Sequence, residues 1–124
     1  MQPADPPILD QAVLAELLAS TGDDPEFVRE LLETYLAETP QQLDAISAAI
    51  AADDAATLVR PAHTLKSSSA TMGAMRLSAL ARELEMAGRS GALEAGLRRL
   101  AEDAATAWLG TADALHAWLS EHAA

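Results

Sequence analysis

The stretch from Leu58 to Met72 carries two separate stripes of side chains when it is placed on a helix. One stripe recurs at the i, i+3, i+4, i+7 spacing of a buried helical face and consists of Leu58, Ala62, Leu65, Ser69 and Met72. A different face, turned away from that core, carries His63, Lys66, Ser67 and Ala70. The pattern therefore predicts a helix that packs through one side and presents an imidazole to solvent, with an ammonium group one turn later.

The rest of the chain favours helices as well. Alanine has the highest helix propensity and dominates the composition, whereas aromatic residues make up 3% and no run of the strand type occurs. Start signals such as Asp24-Pro25 and stop signals such as Gly22 and Gly73 divide the chain. We predict that Gly88 ends the fourth of five helices, which lie at 8–20, 25–50, 54–73, 74–87 and 92–120.

Two prolines fall inside these predicted helices. Pro40 lies in the second helix and Pro61 lies two residues before His63. Because proline removes a backbone hydrogen bond, we expect a kink at Pro40 and either a bend or a late helix start at Pro61.

Short loops between long amphipathic helices favour antiparallel neighbours. The predicted fold class is therefore all-α, an antiparallel up-down four-helix bundle with an additional short N-terminal helix. We assign residues 1–7 to a linker or disordered arm and residues 8–122 to the bundle domain.

The composition excludes several classes of protein. There is no cysteine, so disulfides and thiolate metal sites are excluded, and no run of about eighteen apolar residues could span a membrane. The N-terminus has no secretory-signal pattern, so we expect a cytoplasmic protein. The net charge of −11 argues against a nucleic-acid partner.

Basic residues are concentrated around His63 within this acidic chain. The segment 60–89 has a local charge of +3, which leaves −14 for the remainder of the net −11. Its charged residues are Arg60, Lys66, Arg76, Arg82 and Arg89 together with Glu83 and Glu85. Such a basic segment on an acidic body would attract an anionic group or an acidic protein surface.

The sequence contains no nucleotide-binding or metal-binding motif. It has no Gly-rich phosphate loop and no H-E-x-x-H pair, and His63, His116 and His122 are too scattered to indicate a metal site by spacing. We therefore expect no self-phosphorylation from ATP.

A neutral imidazole is a good nucleophile near pH 7, so it can take a phosphoryl group from an acyl phosphate and return it to another carboxylate. Taken alone, His63 would more commonly be an ordinary surface histidine.

The residues around His63 resemble the histidine-containing phosphotransfer (Hpt) family of two-component phosphorelays. The family pattern is a histidine followed by an apolar residue, a lysine, a small residue, a serine pair, Gly-Ala and a later Leu-Glu. It is represented here by His63, Leu65, Lys66, Ser67, Ser68, Ser69, Gly73, Ala74, Leu77, Leu84 and Glu85. The motif covers residues 54–89, and the helical pattern outside it suits the four-helix bundle of that family.

The resemblance implies roles for five side chains. His63 would accept the phosphoryl group on Nε2, and Lys66 would face the phosphate. Glu85 would hold the other ring nitrogen, and Arg89 falls where some members have a further basic residue. Ser67 stands where the family usually has glycine, so its hydroxyl would either donate to the phosphate or restrict a partner's approach. No cofactor and no metal is implied.

The resemblance implies a relay of phosphoryl groups between the aspartates of response-regulator receiver domains. The domain would have no ATP site and no enzyme activity of its own. A hybrid histidine kinase is a further partner, nucleic acid and membrane are not, and we expect a monomer. Three alternatives stay open: a module that binds receivers or kinases without transfer, a phosphoacceptor domain from a larger hybrid sensor kinase, and the phosphorylated domain of a chemotaxis-type kinase.

Overall fold

Helices make up most of the described chain. The computed structural model describes residues 6–91 and 93–122, and within these ranges it contains five helices and no strand. The helices are α1 (Gln11–Ser20), α2 (Pro25–Ala51), α3 (Ala55–Thr71), α4 (Met75–Ser90) and α5 (Leu97–Glu121). None of the helices in these ranges is both long enough and apolar enough to cross a membrane. The predictions for residues 1–5 and for a helix start at residue 92 lie outside the described residues.

Aspartate side chains fix the starts of the first three helices. Asp24 caps α2, as predicted, and Asp54 caps α3. The hydroxyl and the backbone N–H of Thr57 both donate to Asp54, and these bonds hold the pKa of its carboxyl below the usual value. Asp10 caps α1, so this helix begins directly after it and not at residue 8 as predicted.

The fourth helix is longer than predicted because Gly88 lies inside it. α4 runs to Ser90 and ends at Gly91, whose φ of 79° is in the left-handed region. Gly88 is buried against α3, where a Cβ atom would lie 2.9 Å from Val59 Cγ2 and 3.1 Å from Ala55 O. The prediction of a helix stop at Gly88 was wrong because this glycine allows two helices to approach closely.

The other long helices are uninterrupted. α2 runs through Pro40 and α3 runs through Pro61. The late start considered for α3 does not occur, since the helix begins at Ala55. α5 begins at Leu97, later than predicted, because a turn that includes Gly96 precedes it.

Helices α2 to α5 form the predicted four-helix bundle. α3 packs between α2 and α4, and α5 closes the bundle by packing against α4 and α2. The short connections make consecutive helices antiparallel neighbours around a core of mostly leucine and alanine side chains. α1 lies against α2, and its cap residue is tied to the end of α3 by a 2.8 Å hydrogen bond from Asp10 N–H to Gly73 O.

One polar pair is buried between α2 and α3. Tyr35 Oη and Ser69 Oγ are 2.7 Å apart, and the Tyr35 ring packs edge-on against Trp108 with ring centres 5.4 Å apart. Burial raises the pKa of Tyr35 to about 12, although hydrogen bonds with Ser69 and Thr39 lower it in part. Ser69 therefore has a partner for its hydroxyl within the buried stripe of α3.

Candidate functional site

His63 lies on the solvent side of α3, as its spacing predicts. The predicted buried stripe of α3 is buried at all five positions, whereas the His63 side chain is 53% exposed. Lys66 and Ala70 are partly buried and Ser67 is exposed. The buried stripe and the exposed histidine predicted for this helix are thus confirmed.

A buried carboxylate on α4 joins His63 to two cations. The Glu85 side chain is only 6% exposed, and its Oε2 lies 2.9 Å from His63 Nδ1. Arg89 approaches the same oxygen with two nitrogens, Nε at 2.9 Å and Nη2 at 2.7 Å. Lys66 Nζ lies 2.7 Å from Glu85 Oε1. We call these four residues the Glu85 cluster.

Lys66 and Arg89 contact different oxygens of the carboxylate. Glu85 Oε2 accepts directed hydrogen bonds from Arg89 and from the ring of His63. Glu85 Oε1 faces the Lys66 ammonium at 2.7 Å, a charge-assisted contact at hydrogen-bonding distance. A buried carboxylate needs such partners, because desolvation without them is costly.

The charge state of Glu85 determines which nitrogen of His63 carries the proton. The Lys66 ammonium is the largest influence, and with Arg89 and His63 it lowers the pKa of Glu85 to about 2, against desolvation that would raise it. Glu85 is therefore ionised at neutral pH and can only accept hydrogen bonds. His63 Nδ1 must then be the donor, which leaves the lone pair of the neutral ring on Nε2.

The predicted site residues come together, but not all of them face solvent. The resemblance implied that Lys66 would face a phosphate and that Arg89 would be a further basic residue near it, and the structure pairs both with Glu85. Ser67 is exposed one turn after His63, and its hydroxyl makes no hydrogen bond within the described residues. The Ser67 carbonyl accepts a hydrogen bond from the Thr71 hydroxyl at 3.0 Å, as is common within helices.

Small residues on α4 bring Glu85 within reach of His63. Ser78 donates from Oγ to Lys66 O at 2.9 Å, and Gly88 lies directly against Val59. Ser78, Ala81 and Gly88 are buried small residues of α4, and Ala74, also buried, is its N-cap. Sequence reasoning missed the packing roles of Ser78 and Gly88, although the recurrence of small residues on one helical face is a signal for close packing.

The other two histidines lie away from this cluster. His116 is exposed on α5, and His122 caps the end of that helix with Nδ1 2.9 Å from Trp118 O. Across residues 6–91 and 93–122, no three histidine, aspartate or glutamate side chains are grouped in a way that could hold a metal ion.

The helical bundle agrees with comparisons to known proteins. The model of the Hpt domain family matches residues 30–121. Among solved structures, histidine-containing phosphotransfer protein B (HptB) from Pseudomonas aeruginosa PAO1 superimposes with a TM-score of 0.83. That match has 29% sequence identity and covers 94% of this chain and 97% of HptB. No curated protein sequence shows significant similarity to the chain.

The fold and the family match define the class of this protein. It is an all-helical phosphotransfer bundle, and the chain belongs to the Hpt domain family. Hpt domains carry phosphoryl groups in phosphorelays that also involve receiver domains and histidine kinases. The predicted family and fold class are therefore confirmed.

Proposed function

We propose that His63 Nε2 accepts a phosphoryl group from the phosphoaspartate of one receiver domain and passes it to the aspartate of another. The observation that supports this most directly is the 2.9 Å contact between His63 Nδ1 and the ionised Glu85. This contact holds the imidazole ring by Nδ1 and directs the basic nitrogen, Nε2, away from the Glu85 carboxylate. Because the side chain is 53% exposed, another protein can reach it.

The transfer step requires no base from this chain. The Nε2 lone pair attacks phosphorus in line, and the bond from phosphorus to the receiver carboxylate oxygen breaks with its electron pair. The imidazole gains positive charge as the new bond forms, while the Nδ1 proton stays in place. Glu85, 2.9 Å from Nδ1, stabilises that charge. The return step reverses these changes on another aspartate.

Lys66 and Arg89 would balance the charge that arrives with the phosphoryl group. Both lie beside the ring and are held there by Glu85 at 2.7 Å. Phosphoryl transfer depends mainly on positioning and on neutralisation of oxygen charges, which two prepositioned cations provide. Lys66 is partly exposed and lies one turn from His63, so we assign it the closer contact with phosphate.

The groove between α2 and α3 would receive the body of the receiver. It has a volume of about 170 Å³ and is lined by Leu31, Thr34, Tyr35, Glu38, Thr39, Gln42, Thr64, Ser68 and Met72. One lining residue, Thr64, directly follows His63 on α3. Phe27, four residues before Leu31 on α2, is 47% exposed and extends the apolar surface.

The test is phosphoryl transfer from labelled receivers. Receiver domains from the same genome are phosphorylated with ³²P-labelled acetyl phosphate and mixed with the chain at pH 7.5. We expect label that is lost in acid and retained in base, as for phosphohistidine. His63→Gln should abolish labelling, whereas His116→Gln, the matched control on α5, should leave it unchanged. ATP alone should give no label.

The same experiment separates transfer from binding alone. A chain that binds phosphorylated receivers but takes no label on His63 would be a binding module, and the proposal would be wrong. Label that persists in His63→Gln would place the acceptor elsewhere in the chain.

A further inference from the structure

Three of the five basic residues in the segment 60–89 are already bound within the protein. Lys66 and Arg89 are paired with Glu85. Arg76 donates from Nε to the Pro6 carbonyl at 3.0 Å, which ties the start of the described chain to α4. Their positive charges are therefore partly paired within the protein before any partner binds.

The remaining two, Arg60 and Arg82, are exposed and unpaired. Neither makes an ion pair or a side-chain hydrogen bond to any residue in the ranges 6–91 and 93–122. Arg60 precedes His63 by three residues on α3, and positions three apart are neighbours on one helical face. Its guanidinium is thus available on the surface that carries the imidazole.

Arg82 reaches the same surface from α4. It lies three residues before Glu85, which contacts His63, and four residues after Ser78, which bonds to the Lys66 carbonyl. Both neighbours of Arg82 on its helical face therefore touch the part of α3 between His63 and Lys66. Arg60 and Arg82 flank the Glu85 cluster from two different helices.

We infer that Arg60 and Arg82 steer the anionic phosphoaspartyl site of a receiver domain onto His63, whereas Lys66 and Arg89, held by Glu85, act on the phosphoryl group once the receiver has docked. The inference rests on the proposed function and adds to it the residues that set the rate of encounter.

The acidic character of the rest of the chain makes Arg60 and Arg82 important for attracting an anionic partner. The protein carries a net charge of −11, so most of its surface repels a phosphorylated, anionic partner. Arg60 and Arg82, exposed and unpaired, create a local attraction on the His63 face. Charges at the rim of an interface act mainly on the association rate and on its dependence on salt, and only weakly on contacts formed after docking.

The test measures the second-order rate constant for phosphoryl transfer from a labelled receiver by rapid quench. The receiver is whichever domain transfers fastest to the wild-type chain. At an ionic strength of about 0.03 M, we expect Arg60→Gln and Arg82→Gln each to lower the rate constant about threefold, and the double variant about tenfold. At about 0.5 M salt, where the Debye length is about 4 Å, the differences should disappear.

Arg98→Gln is the matched control. Arg98 is exposed on α5 and has no ion-pair partner in the described chain, and its replacement changes the net charge by the same amount. Its rate constant should stay within about 1.5-fold of wild type at both salt concentrations. Circular dichroism and thermal unfolding would verify that each variant is folded.

Two results would overturn the inference without touching the proposed function. One is an equal reduction of the rate constant for transfer to His63 in Arg98→Gln and in the Arg60 and Arg82 variants. Such a result would mean that only the net charge of the protein matters. The other is slowing that persists in high salt. If no receiver labels the wild-type chain at all, the proposed function itself fails.

Discussion

Gly88 of α4 lies against Val59 of α3 with no room for a side chain between them. A Cβ atom at this glycine would come within 2.9 Å of Val59 Cγ2 and within 3.1 Å of the Ala55 carbonyl oxygen. Gly88 follows Glu85 by one helical turn, so this close approach also sets the distance across which Glu85 reaches His63.

Gly88→Ala should therefore destabilise the fold. The alanine would gain up to about 1 kcal/mol of helix propensity, but overpacking against a backbone carbonyl costs about 1–3 kcal/mol. We expect a net loss of about 1 kcal/mol in the free energy of unfolding, measured by urea denaturation. Gly110→Ala in α5 is the control, because the three atoms nearest its Cβ would all be side-chain atoms of Ile8, at 3.4 Å or more. Equal stability changes in the two variants would contradict this account of Gly88.

The periodicity of α3 was enough to predict the most important feature of the site. A core stripe and an exposed histidine follow from the 3.6-residue period, and the structure has both. The starts of α2 and α3 were also predictable, because aspartate caps act locally.

The contacts between helices could not be predicted in the same way. Gly88 was assigned to a helix end because glycine serves both as a terminator and as a packing residue, and only the neighbouring helix distinguishes the two. Likewise, the pairing of Lys66 and Arg89 with one carboxylate depends on the rotation of α4 against α3. No spacing within a single helix specifies that rotation.

Glu85→Gln should change how stability depends on pH. The pKa of Glu85 is lowered from 4.5 to about 2 in the folded protein, so its ionised form stabilises the fold above pH 4.5. That contribution is lost as the pH falls from 4.5 toward 2. Urea unfolding at intervals from pH 7 to pH 2.5 should show a steeper loss of stability in wild type than in Glu85→Gln over this window. Parallel curves would show that Glu85 is not coupled to its cations.

Ser67→Ala tests whether the hydroxyl assists the phosphorylated state. Ser67 is exposed and lies one turn after His63, and its hydroxyl has no hydrogen-bond partner in the described chain, so it is available to phosphoryl oxygens. We expect phospho-His63 to hydrolyse about threefold faster in Ser67→Ala, equivalent to about 0.6 kcal/mol, within the range for one hydrogen bond. The measurement is the half-life of the label after removal of the receiver. An unchanged half-life, with faster transfer in Ser67→Gly, would mean that Ser67 only obstructs the partner.

Tyr35 and Ser69 should behave as one unit in stability measurements. Their oxygens are 2.7 Å apart in the core, so removal of either leaves the other without this partner. Tyr35→Phe and Ser69→Ala should each lower the free energy of unfolding by about 1–2 kcal/mol. The loss in free energy of unfolding in the double variant should be smaller than the sum of the two single losses by at least about 0.5 kcal/mol. This is about the smallest coupling energy that contacting residues show. Simple additivity would contradict the buried hydrogen bond.

The most direct test of the central claim is to identify the phosphorylated atom by nuclear magnetic resonance. The chain, labelled with ¹⁵N in histidine and phosphorylated by a receiver, should show phosphorus coupled to Nε2 of His63 and a proton retained on Nδ1. This follows from the ionised Glu85 that accepts from Nδ1 at 2.9 Å. Phosphorus on Nδ1, or on any residue other than His63, would contradict the account.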